Sequence, residues 1–200
     1  MQRYEQIAHC PRCGDPYGPD SFLASDIAFR CSRCSYMFYQ NSVPSASVLI
    51  PSASSPAQVL LMTRATEPEV GKVALPGGFL RYGEDPAEGA RREAREETLL
   101  DVAIDRLLVS FLLDYCYLGA QLSVLELSFL AYPIGIDLTG LHTSEACLLA
   151  FYPVAEVLME PNRLAFPEQT RVLACYLERL ARGSAASGVT EQELKNAILF

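Results

Sequence analysis

Tryptophan is absent from the 200 residues and histidine occurs only twice. No apolar run reaches the 18 residues that would signal a membrane-spanning helix, so none is expected. Met1 to His9 contains no apolar stretch of the secretory kind, so no export signal is expected either. Positive charge is scarce: 16 Lys and Arg stand against 24 Asp and Glu, a net charge of −8 with a pI near 4.8. An acidic surface repels phosphate backbones and disfavours broad electrostatic binding to nucleic acid, although a local basic patch is compatible with it. Internal repeats and long low-complexity tracts are also missing.

Half of the residues are apolar and a fifth are charged, enough for a packed core. The length suits one ordinary domain with a small appendage. The composition divides the chain at about residue 40, giving a cysteine-bearing segment (1–40), a main domain (41–182) and a tail (183–200). Ser47–Ile50 and Gln58–Thr63 read as strands separated by the turn-rich Pro51–Pro56. Val73–Leu75 is a short apolar run that ends in the sharp turn Pro76-Gly77-Gly78. Leu107–Leu113, Leu122–Tyr132 and Leu148–Tyr152 read as further strands. Asp85 to about Leu99 and Pro167–Ala181 read as helices, Gly183–Gly188 as a linker and Thr190–Leu199 as a terminal helix capped by Thr190. Strands and helices mix without regular alternation, which predicts an α+β or α/β sandwich.

Four of the seven cysteines form two Cys-x-x-Cys pairs, Cys10/Cys13 and Cys31/Cys34, with 17 residues between the pairs. Thiolates at this spacing on tight turns can share one tetrahedral Zn2+, and two such pairs give the pattern of a zinc ribbon. An odd cysteine count without a signal segment points to a reducing cytoplasm, where metal rather than disulfides uses the pairs. A segment of about 40 residues with few large aliphatics needs the metal for much of its folding energy. Four thiolates also close the coordination sphere, so the role expected of this zinc is structural.

The helix from Asp85 carries the chemistry. Asp85 suits the N-cap, Pro86 the first turn, and Glu88 the third position of a capping box. Glu93, Glu96 and Glu97 stand three and four apart and share a face. Three like charges there repel unless a cation sits among them. A hard divalent ion is one such cation; the alternative is a solvated charged face on which Arg91, Arg92 and Arg95 pair with Glu88, Glu96 and others at helical spacing. The glycine turn upstream allows close backbone approach to the same place.

Gly78, Glu84, Arg92, Glu93, Glu96 and Glu97 stand at the spacings of the Nudix box, Gly-x5-Glu-x7-Arg-Glu-U-x-Glu-Glu-x-Gly-U, which the segment resembles. Ala94 occupies an aliphatic position and Leu99 the last glycine. The tryptophan usual before the Pro-Gly-Gly turn has no counterpart; Val73 is there. The paired cysteines followed by Ser35-Tyr36-Met37-Phe38-Tyr39-Gln40-Asn41, and Asn162 to Phe166 further on, are similar to zinc-ribbon Nudix hydrolases related to FAD and ADP-ribose pyrophosphatases. The Ser-Gln-Pro-Trp-Pro-Phe-Pro motif of NADH pyrophosphatases is missing, and so is the proline that often marks ADP-ribose specificity. The resemblance implies an α/β/α sandwich with a mixed sheet. It implies Mg2+ or Mn2+ held by Glu93, Glu97 and Glu96, the last a ligand or a water-activating base, with help from a backbone carbonyl at Gly77 or Gly78. Arg92 and Glu84 would orient these carboxylates. Glu145 is the available loop glutamate beyond the box, near His142, and Tyr115 or Tyr117 could stack on a base. The reaction implied is hydrolysis of a small nucleotide substrate at its pyrophosphate, by a chain that could dimerise. The competing reading is a Nudix-fold binding or regulatory protein whose ribbon contacts nucleic acid or a protein partner.

Overall fold

The computed structural model describes residues 7–117, 119–135 and 146–186. The chain divides into two compact units, Met1–Val43 with Leu112–Val124, and Pro44–Phe111 with Leu125–Phe200.

The first unit holds a three-stranded antiparallel sheet: β1 (Phe22–Leu23), β2 (Ala28–Arg30) and β3 (Met37–Tyr39). Its apolar centre is small. Phe29 is buried and packs on Tyr17 and Phe22 at ring separations of 5.0 and 5.2 Å. The two cysteine turns have the same hydrogen-bond pattern. Gly14 donates to Cys10 O and Ser35 to Cys31 O, while the Cys10 and Cys31 amides donate to Asp15 O and Tyr36 O. Gly14 and Ser35 hold equivalent positions with φ of +73° and +59°.

The second unit contains β4 (Val43–Leu49), β5 (Gln58–Arg64), β6 (Val73–Ala74), β7 (Gly77–Phe79), helix α1 (Pro86–Thr98), most of β8 (Val102–Tyr117) and β9 (Ala120–Pro133), then β10 (Ala146–Pro153), α2 (Val154–Met159) and α3 (Thr170–Ala186). One sheet has the order β7-β4-β9-β8 and another β10-β5-β6. β4 pairs antiparallel with β7. Its side-chain partners on β9 climb in the same direction, Ser45 with Glu126 and Ser47 with Ser128, so these two strands run parallel and the sheet is mixed. Ala46 and Val48 of β4, Ile50 just after it, and Phe129 and Ala131 of β9 bury one face against Ala90 and Ala94 of α1. Small residues on the helix let it lie close to the sheet. α3 packs elsewhere: the Tyr176 hydroxyl donates to Pro56 O at 2.8 Å, and Arg171 lies over the Phe111 ring. No helix of the described residues is long and apolar enough to cross a membrane.

Several boundaries differ from those read in the sequence. β8 extends far beyond Leu107–Leu113, because an edge strand tolerates the exposed Asp105–Leu107 stretch that breaks the apolar pattern. α2 escaped notice, being six residues long and lacking a side-chain cap. Pro167–Gln169 forms a 3-10 turn before α3, which then continues to Ala186, so the beginning of the expected Gly183–Gly188 linker is helical. Thr190–Leu199 lies outside the described residues.

Candidate functional site

α1 starts where the sequence indicates. The Asp85 carboxylate accepts the Ala87 amide at 2.9 Å, and Pro86 occupies the first turn. Glu88 pairs with Arg91 on the exposed side. The helix ends at Leu99, whose φ of +61° is left-handed and whose amide donates to Arg95 O. The position where the box has glycine therefore has the backbone angle that glycine favours, and a leucine carries it.

Arg92 organises the carboxylates. Its Nε and Nη2 donate to the two oxygens of Glu84 at 2.7 and 2.9 Å. Nη1 donates to Glu93 at 2.5 Å and to Glu96 at 3.0 Å, and Nη2 also reaches the Phe79 carbonyl at 3.1 Å. These contacts occupy all five guanidinium donors. Arg81 adds its backbone N–H to Glu84 and its guanidinium to Glu96, at 2.8 and 2.9 Å. Hydrogen bonding from Arg92, then from the Arg81 amide, holds the Glu84 carboxyl down at about 2. The Glu84 contact in turn pushes Arg92 above its ordinary range. Part of the repulsion expected on this face is thus relieved by an arginine built into the helix.

Glu97 is buried and accepts the Gly77 amide at 2.7 Å. Two glycines are required by space. A Cβ on Gly78 would stand 2.7 Å from the Glu93 carboxylate, and one on Gly77 would stand 2.6 Å from Ala46 O and from Ser47 Cβ. A third glycine, Gly89, was overlooked in the sequence; its added Cβ would meet Leu80 at 2.2 Å and Glu84 at 3.1 Å. An interior helical glycine costs about 1 kcal/mol against alanine, and that cost was the signal that could have flagged it.

The turn therefore brings Gly77, Gly78, Glu84, Arg92, Glu93, Glu96 and Glu97 together. Carboxylate oxygens beside a glycine cradle form a donor set that suits a hard divalent ion. Tyr115 is half-buried on the part of β8 grouped with the first unit, and the backbone of Tyr117 ends that strand. Glu145 and His142 lie outside the described residues. Sequence reading also missed a buried carboxylate, Glu126, which is 8% exposed and gathers the hydroxyls of Ser45, Ser47 and Ser128.

In the first unit the four cysteine sulfurs all lie within 4.8 Å of one another. Cys10–Cys34 and Cys13–Cys31 are 3.7 and 3.6 Å apart. A tetrahedron with Zn–S of 2.3 Å has edges of about 3.8 Å, so the four thiols fit zinc, and all four are free of disulfides. Burial opposes ionisation of Cys10, but the backbone amides of Arg12 and Cys13, with the neighbouring thiols, bring it down to about 6. Burial and the adjacent Cys10 push the Tyr17 phenol up to about 12.

The NUDIX domain family model matches residues 43–174, and the chain belongs to that family. A curated relative, the NAD-capped RNA hydrolase NudC of Vibrio atlanticus, is 24% identical over 123 residues, which cover 56% of this chain and 43% of that protein. The chain thus spans less than half the length of that relative. Among solved structures, a NUDIX hydrolase from Nitrosomonas europaea is 25% identical with a TM-score of 0.60, covering 84% of this chain and 91% of the other. The NUDIX domain of Shewanella oneidensis NrtR, solved with ADP ribose, is 19% identical with a TM-score of 0.55, covering 71% and 90%. The family and its mixed-sheet fold are borne out.

Proposed function

We propose that this chain hydrolyses the pyrophosphate of a nucleoside diphosphate joined to a second moiety, in the class of FAD, ADP-ribose or a related dinucleotide or nucleotide sugar. The brace around Arg92 carries the reading. One guanidinium fixes Glu84, Glu93 and Glu96, and the Gly77 amide fixes Glu97, all at the Pro76-Gly77-Gly78 turn. Glu93, Glu96 and Glu97, with a carbonyl of Gly77 or Gly78, would hold Mg2+ or Mn2+. Such an ion supplies an acidified water and neutralises phosphoryl charge. Glu84, ionised at neutral pH, keeps Arg92 in place, and Arg92 keeps Glu93 oriented. Glu96, with a side chain 44% exposed, is a further ligand or the acceptor of a proton from the attacking water. Water adds to one phosphorus, the bond to the bridging oxygen breaks, and two phosphate monoesters leave. Tyr115 or Tyr117 stacks on a base.

Zn2+ on Cys10, Cys13, Cys31 and Cys34 holds the ribbon, residues 1–40 in this reading. Residues 41–182 form the hydrolase domain and 183–200 the tail. A homodimer and a reducing, cytoplasmic setting belong to the same proposal. A second reading is a binding protein whose ribbon meets nucleic acid or a partner. It draws on the charge of residues 1–43, where four arginines balance four carboxylates in an otherwise acidic chain. The purified protein, given Mg2+ or Mn2+ and a panel of FAD, ADP-ribose, NADH, CoA and dinucleoside polyphosphates, separates the two. Metal-dependent cleavage of a panel member at its pyrophosphate is expected, and failure to turn over any of them favours the binding protein.

A further inference from the structure

Glu126 is a carboxylate that the proposed chemistry does not use. It lies on β9, which is next to β4, and β4 lies next to β7. On β4, alternation sends Ala46 and Val48 towards α1 and leaves Ser45 and Ser47 on the opposite face with Glu126 and Ser128. All four of these polar residues are buried, Ser128 completely. The Glu126 Oε1 accepts the hydroxyls of Ser47 at 2.5 Å and Ser128 at 3.1 Å, and Oε2 accepts that of Ser45. Removing a carboxylate from water costs several kcal/mol even after relaxation, and among the described residues its hydrogen-bond donors are three hydroxyls. Apolar side chains would fill the same strand positions without that cost.

The cluster adjoins the catalytic edge along β4, where Ser45 pairs with Phe79 and Ser47 lies against the turn. Ser47 is the direct antiparallel partner of Gly77. The approach is so close that a Cβ on Gly77 would stand 2.6 Å from Ser47 Cα and Cβ. The Gly77 amide is the one that holds Glu97. A displacement of Ser47 is therefore passed to the Gly77 N–H, because the strands have no slack between them.

We propose that Glu126 is a positioning residue for the catalytic edge: by gathering Ser45, Ser47 and Ser128 it fixes β4 against β7 and so aims the Gly77 amide at Glu97. The proposal rests on the hydrolase reading for its kinetic consequence, but its structural consequence needs no substrate. In the full-length protein, the amide resonance and hydrogen-exchange protection of Gly77 are measured for wild type, Glu126→Ala, Glu126→Gln, Ser45→Ala and Ser47→Ala. Glu126→Ala should shift the Gly77 resonance and lower its protection at least tenfold beyond any global change, with kcat reduced on the order of 10²-fold, the scale of an ångström of misplacement. KM should stay within about threefold, because substrate binding is not the interaction removed. Glu126→Gln keeps an acceptor oxygen and gains N–H donors that the serines can accept, so it should restore Gly77 protection and most of kcat. Ser47→Ala should disturb Gly77 more than Ser45→Ala does. Uniform loss of protection across the sheet, or an unmoved Gly77 in folded Glu126→Ala, would overturn the proposal. If Glu126→Ala fails to fold, equal effects of the two serine variants on Gly77 would overturn it. An inactive wild type with the expected Gly77 response would count against the hydrolase reading and leave the positioning intact.

Discussion

Two clusters of acidic ligands sit in this chain, and they manage their charge in opposite ways. The four thiols converge from two turns of identical hydrogen-bond pattern, with every sulfur within 4.8 Å of the others. The box carboxylates stand along α1 and its preceding loop, and an internal cation, Arg92, bonds to three of them at once. The thiol cluster belongs to a small sheet whose strands are two or three residues long, so in the proposed reading a cation from solution supplies what that sheet lacks. The carboxylate cluster is secured by a large apolar core, so its arrangement does not wait for a metal. In the proposed reading the first site is closed and structural and the second binds and releases its ion.

The largest effect is expected at the thiols. Stripping metal from the protein, or Cys31→Ser, should abolish the folded ribbon, since structural zinc contributes apparent free energies of about 10–16 kcal/mol in small zinc domains. Amide resonances of residues 7–40 should collapse while those of α1 keep their dispersion. Reduced protein that retains a folded ribbon without metal would remove the contrast between the sites.

Gly78→Ala comes next. Its methyl group would stand 2.7 Å from the Glu93 carboxylate, so Glu93 must move and the Arg92 contact must loosen. Turnover should fall on the order of 10²-fold, with the melting temperature lowered by only a few degrees. Unchanged turnover would show that the glycine cradle is not part of the site.

A smaller effect concerns pH. The folded-state pKa of Glu84, about 2, lies below its unfolded value. Its stabilisation is therefore fully present above about pH 4.3 and is lost as pH falls through the folded value. Glu84→Gln should remove the part of acid destabilisation that falls between those limits and leave stability near neutrality less dependent on the Arg92 brace. Identical acid-unfolding curves for both proteins would contradict the strength assigned to that pair.

The smallest effect is at the end of α1. Leu99 holds a left-handed φ and its side chain is exposed, so Leu99→Gly should stabilise the protein by about 1 kcal/mol. Activity should remain within about tenfold, near 1.4 kcal/mol. A gain of several orders of magnitude would instead mean that the natural leucine cripples the loop.

The box was legible because its information is local: capping at Asp85, charges at helical spacing and a glycine turn all sit within about 20 residues. The cysteine pairs were legible for the same reason. What escaped was long-range. Glu126 finds Ser45 and Ser47 across about 80 positions of sequence, and nothing in Leu125-Glu126-Leu127-Ser128 marks that glutamate as buried. Gly89 looked like an ordinary small helical residue because Leu80, which needs its space, comes from the loop before the helix. Arg92 was recognised from its spacing, but its role as the cation among the glutamates emerges only from side-chain geometry.

In the proposed function Glu93 and Glu97 form the working centre of a metal-dependent hydrolase. Turnover of the best panel substrate, with and without Mg2+, for wild type, Glu93→Gln and Glu97→Gln tests it directly. The amide keeps the shape and loses the charge, so each variant should remain folded and lose hydrolysis by hundreds-fold or more, the scale of a lost electrostatic stabiliser, and wild type should show none without the metal. Wild-type rates in both variants would contradict the claim and leave the box helix as architecture alone.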